Sequence, residues 1–195
     1  IVLRIPICNL LYQRGEFTYL STINTSQALF GYAVGIWAIG GIRITAPAFY
    51  SMQDTRTPVI IAFFAFIINA IIGYVLGFTF GLRHTGLALA SSISSMFNFA
   101  VLFIILNKRV GKIGINETII LCIKIAIASI LMGLLAWEIA KHGNWTGSET
   151  SIEKILFLTI SLLASSAVYM IISKLLKIDE VDQLIALLRR KPVIK

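Results

Sequence analysis

The chain has 195 residues, of which 57% are hydrophobic and only 13% charged, with a mean hydropathy of +0.88 and a formal net charge of +8. Such a composition excludes an ordinary soluble domain, in which about a quarter of all residues are charged. The basic balance does not point to nucleic acid, because the cations fall between apolar runs, where anionic headgroups and the positive-inside bias account for them.

The first segment, residues 1–11, is apolar but too short to span, is interrupted by Arg4 and Pro6, and lacks the basic start and small-residue cleavage site of a signal peptide. It reads as the last turns of a helix that begins upstream, and hence the chain as the C-terminal part of a longer protein. Gly15 permits the stop, and a polar spacer over 19–26 follows. Five apolar runs come next, over 27–50, 59–80, 86–106, 118–140 and 155–173, each approaching or exceeding the ~20 residues that cross a bilayer core as a helix. They are continuous and do not alternate as barrel strands would. The expected fold is therefore an all-α, polytopic membrane protein with five complete transmembrane helices, an N-terminal helix stub and a C-terminal amphipathic helix. In that last segment Val181, Leu184, Ile185 and Leu188 share one helical face and Arg190-Lys191 follows, a pattern suited to a membrane surface.

Alternating sides along these spans, Arg4, Arg14, Arg83, Lys141 and Lys154 collect on one face of the membrane. Arg56, Lys108, Arg109, Lys112 and the basic residues of the tail collect on the other. The more basic face is the cytoplasmic one, which puts the turn before residue 59, the NKRVGK loop and the C-terminus in the cytoplasm.

The first turn, APAFYSMQDTRTP (46–58), carries the candidate site features. Pro58 suits a helix start, and Asp54, Thr55 and Thr57 are candidate caps, with Arg56 kept in water. Pro47 lies inside the preceding span and cannot bond back to the carbonyl of Arg43, so a kink, a free carbonyl and a guanidinium fall together. Asn69 is the amide within the second span, with Gly73, not a carboxylate, one turn on. Ser91, Ser95 and Asn98 share one face of the third span, either for interhelical hydrogen bonding or to line a cavity. Gly31-x-x-x-Gly35 and Gly73-x-x-x-Gly77-x-x-x-Gly81 offer close helix approach. Lys124 lies where its stem can snorkel to the surface. Cys8, Cys122, His84 and His142 lack ligand spacing, with the two histidines read as loop residues. No nucleophile–base pair, paired carboxylates, phosphate loop or metal cluster is present, so no catalytic residue, metal or cofactor is expected. The candidate classes are a transporter domain, a membrane enzyme whose catalytic residues lie elsewhere, and a membrane scaffold. Broken helices and rare intramembrane charge favour the transporter.

The order LLYQRGEFT (10–18), QALFGYAVGI (27–36), APAFYSMQDTRTPV (46–59) and HTGLALASSI (84–93), with VDQLIALLRRK (181–191) at the end, closely resembles the MurJ (MviN) family of lipid II flippases. This family belongs to the multidrug/oligosaccharidyl-lipid/polysaccharide exporter superfamily. The resemblance implies fourteen helices with both ends in the cytoplasm of a bacterial inner membrane, the stub being the end of helix nine and the complete spans helices ten to fourteen. It further implies alternating access that moves lipid II, the undecaprenyl-linked peptidoglycan precursor, to the periplasmic face. On that reading residues 1–106 complete the C-terminal lobe, 107–173 add two helices lining a groove for the lipid tail, and 174–195 form a cytoplasmic tail. Arg43, Asn69, Ser91, Ser95 and Asn98 are the expected substrate-pathway residues, while Pro47, Asp54, Arg56 and Pro58 shape the kink and turn. The expected partners are lipid II and membrane lipids. The alternatives are an exporter of another polyprenyl-linked glycan or a drug, and a pseudo-transporter scaffold that recruits cell-wall synthesis proteins.

Overall fold

In a computed structural model of the chain, residues 1–13, 16–111, 115–143, 145 and 152–176 are described. Among them every regular element is helical: α1 (Arg4–Tyr12), α2 (Tyr19–Ser51), α3 (Arg56–Tyr74) continuing into a π turn (Val75–Thr79), α4 (Arg83–Val110), α5 (Ile115–Ala140) and α6 (Ile152–Leu175). Five of these are long and apolar enough to cross a membrane, so the expected all-α, five-span class is what the chain adopts. The C-terminal amphipathic face (181–188), Arg14, Gly15 and Lys112 lie outside the described residues.

Several boundaries differ from those expected, each for a local reason. The spacer over 19–26 is the start of α2. Thr18, in extended conformation, caps it by accepting the Ser21 amide at 3.4 Å. Two of the polar side chains that suggested a spacer are buried and find partners instead. Thr22 Oγ1 donates to Gln13 Oε1 at 3.0 Å, Asn9 Nδ2 donates to the same oxygen at 2.5 Å, and Ser26 Oγ donates to the Ile23 carbonyl at 2.8 Å. Buried polar groups that are satisfied do not interrupt a helix, and here they dock α1 on α2.

At the end of α3 the helix widens, the Phe80 amide bonding the Val75 carbonyl at 3.0 Å. The Leu82 amide then reaches back six residues to Leu76 at 3.1 Å, around Gly81 at φ 67. That is a glycine helix stop, so Gly81 ends the element and does not extend the packing stripe of Gly73 and Gly77. α4 starts at Arg83, which places His84 in a helical turn and not in a loop. It continues past 106, so Lys108 and Arg109 occupy its last turn, where cations complement the carbonyl end. Gly111, at φ 85, ends it.

The helices form two compact units, α1–α4 and α5–α6. In the first, α4 packs along both α2 and α3, whereas α2 and α3, neighbours in sequence, barely meet. Its apolar core is Phe49, Ile61, Leu102 and Leu106, with Ile42, Ala48, Val101 and Ile105 around them. In the second, buried Ala128, Ala136 and Ala140 let α6 approach α5, and Ser161 Oγ donates across to the Ala136 carbonyl at 3.1 Å. Trp145 Nε1 donates to the Ala140 carbonyl at 2.6 Å, joining the Gly143 amide at 3.1 Å on that acceptor at the end of α5. Lys154, expected as a surface charge, is buried.

Candidate functional site

The turn between α2 and α3 is built around Asp54. Its backbone amide donates to the Phe49 carbonyl at 3.0 Å, closing α2. One carboxylate oxygen accepts the Thr57 amide at 3.0 Å and the other accepts the Thr57 hydroxyl at 2.6 Å, which caps α3. Arg109, from the last turn of α4, then donates to the same carboxylate at 2.5 Å and to Thr57 Oγ1 at 3.4 Å. Its guanidinium lies 5.6 Å from the centre of the Phe49 ring. One carboxylate therefore ties the ends of three helices. The Thr57 hydroxyl, the Thr57 amide and then the Arg109 guanidinium hold Asp54 down at about 2, against an ordinary 3.8. Pro58 is buried in the first turn of α3, as expected, while Arg56 is exposed and takes no part. The cation that matters is Arg109, read from sequence only as a topology charge. Its position at a helix end complementary to an acidic turn was the available signal.

Above this clasp, α2 and α4 meet along a seam of small residues. A Cβ added to Gly31 would sit 2.7 Å from Ala88 Cβ, and one added to Gly35 would sit 2.6 Å from Ser92 Cα, so neither position tolerates a side chain as packed. Ser92 Oγ donates to the Gly31 carbonyl at 2.5 Å. Ala88 and Ser92 repeat the four-residue step of Gly31 and Gly35, which is why the two backbones meet at both levels. The glycines of α3 make a looser contact, Gly73 and Gly77 lying against the Leu87 side chain.

The expected polar stripe on α4 is only partly available to a ligand. Ser91 Oγ donates to the Leu87 carbonyl at 3.1 Å and Ser95 Oγ to the Ser91 carbonyl at 2.8 Å, so both hydroxyl protons are spent within the helix. Asn98 differs: its Oδ1 is buried and accepts no hydrogen bond among the described residues. Asn69 is half-buried. Arg43 and Pro47, one helical turn apart, are both exposed on the outside of the unit, and Arg43 makes no ion pair among the described residues. The helix runs on through Pro47, and beside it the buried Thr45 donates its hydroxyl to the Gly41 carbonyl at 2.9 Å. The described residues contain no group of His, Cys, Asp and Glu placed to hold a metal.

Comparison with known proteins adds to this geometry. Residues 1–157 match the family model described as lipid II flippase MurJ. A protein of Rickettsia prowazekii named "Probable lipid II flippase MurJ" is 32% identical, over 93% of this chain and 36% of its own length. The "Lipid II flippase MurJ" of Burkholderia cenocepacia is 30% identical over 84% of this chain and 32% of its own length. A Thermotoga maritima relative is 28% identical over 92% and 34%. The chain thus spans about a third of the length of these curated relatives.

Proposed function

The chain belongs to the lipid II flippase MurJ family, and on that premise we propose that it is the C-terminal part of a flippase that carries lipid II across the bacterial inner membrane. The observation that carries this reading is the reach of the family likeness, from residue 1 to 157 and so into both compact units. In the proposed mechanism α2–α4 move as one body of a transporter lobe. The clasp at Asp54 and the seam at Gly31 and Gly35 support this, because both join helices through contacts that leave little room to slide. Asn98 and Arg43 remain as pathway residues, the first for its unpaired carbonyl oxygen and the second for its exposed cation. The hydroxyls of Ser91 and Ser95 keep their protons within α4 and offer a ligand only their acceptor oxygens.

α5 and α6 take the role of the groove for the undecaprenyl tail. Exposed Ile123, Ile127, Leu134, Ile160 and Leu163 support it by offering an apolar outer surface. The Asp54 turn and the C-terminus lie in the cytoplasm, as the charge distribution favours.

The test is replacement of the resident lipid II flippase, in a depletion strain, by the full-length protein that carries this sequence at its C-terminal end. Restored growth together with lipid II at the outer face is the expected outcome. Growth without lipid II externalisation would mark a scaffold for wall-synthesis proteins, and no rescue would sink the reading.

A further inference from the structure

At the end of α3 and α4 remote from Asp54, a cleft of about 590 Å³ opens between the start of α2 and the α3–α4 turn, lined by Asn24, Gln27, Arg83, His84 and Thr85. No carboxylate among the described residues lines it. None of Asn24, Gln27, Arg83 and His84 has a hydrogen-bond or ion-pair partner among the described residues. Arg83 holds its position at φ 46, a left-handed backbone that a residue with a side chain seldom adopts. Among the described residues the cleft is therefore lined by a guanidinium, an imidazole and two side-chain amides, with no carboxylate.

A second cleft, of about 450 Å³, shares Gly81, Arg83 and His84 with the first and is otherwise lined by Gly77, Phe78 and Leu87. Phe78 and Leu87 are exposed there. A polar, donor-rich hollow and an apolar one thus meet at the same two basic residues, which is the chemistry of an amphiphile with an oxyanion head.

We propose that these joined clefts bind an anionic phosphate-bearing lipid, its phosphate against Arg83 and His84 and the start of its chain along Phe78 and Leu87. Guanidinium and amide donors suit the tetrahedral oxygens of phosphate, and the apolar wall orients the chain. The proposal concerns binding alone and does not depend on what the protein transports.

The test is native mass spectrometry of the full-length protein that carries this sequence, with phosphatidylglycerol, phosphatidylcholine and inorganic pyrophosphate as separate probes. Phosphatidylglycerol should be retained in preference to phosphatidylcholine. Arg83→Gln with His84→Gln should weaken that retention roughly tenfold, the loss of about one charge-assisted hydrogen bond. Arg83→Lys, which keeps the charge at the same backbone position, should retain most of it. Arg56→Gln, at the other end of α3, should leave it unchanged. Displacement of the lipid by pyrophosphate supports recognition through the phosphate. Pyrophosphate binding without lipid binding would overturn the lipid half of the assignment. Equal retention by the double variant, or an equal loss in Arg56→Gln, would overturn it altogether.

Discussion

Asp54 shows how much one side chain does at a helix junction. Its pKa is depressed to about 2 from 3.8, so the native state favours the carboxylate. Its contribution to folding is fully present above the ordinary value and is lost as pH falls through the native one. Asp54→Asn should therefore melt at a lower temperature than the wild type at neutral pH. The gap should hold down to about pH 4 and close toward about pH 2; a gap that does not change with pH would remove the carboxylate from the account. Arg43 calls for a functional readout. In the full-length protein, Arg43→Lys should keep much of the lipid II flipping, and Arg43→Ala should lower it with little loss of membrane expression. Normal flipping by Arg43→Ala would reduce the residue to a surface cation. The turn was legible in sequence because Asp, Thr and Pro at that spacing have few other uses. Arg109 and Ser92 were not, because their partners lie 55 and 61 residues away and a single sequence does not show which helix faces which.

The helices themselves are distinguished by where glycine is indispensable. Gly35 has no room for a Cβ, whereas one added at Gly40 would meet nothing within 4 Å. Gly35→Ala should therefore destabilise the α2–α4 pair by about 1–3 kcal/mol, the usual cost of overpacking. Gly40→Ala should raise stability by about 0.5–1 kcal/mol through helix propensity alone. Thermal unfolding of the chain in one detergent measures both, and equal effects would show that the seam is not tight. Apolar length located all five spans, since crossing a bilayer fixes that length. The ends were less legible: Tyr19–Ser26 looked like a spacer for its polar residues, and the bond that docks Thr22 on Gln13 is a contact that composition does not encode. Gly81 looked like part of a packing stripe because a glycine that stops a helix and one that packs against another read alike.

For the molecule as a whole, the orientation in the membrane is the open commitment. Met52→Cys, in the Asp54 turn, should be shielded from an impermeant thiol reagent in intact cells, and Leu82→Cys, at the opposite end of α3, should react; both side chains are exposed. The reverse pattern would invert the proposed topology. The number of spans could be read from the sequence, but the spatial order α2, α4, α3 could not, because three apolar helices of similar composition carry no label for their neighbours. That order has a consequence for biosynthesis. α2 and α3 are made before α4 and barely touch, so until α4 follows, the contacts at Gly31 and Gly35 are unmade and Asp54 waits for a guanidinium not yet translated. The bundle closes only when α4 arrives, with Arg109 almost its last residue. A nascent chain stopped after Leu82 should be cut readily by protease and one stopped after Val110 should resist. Assembly here is set by the last helix of the three to be synthesised.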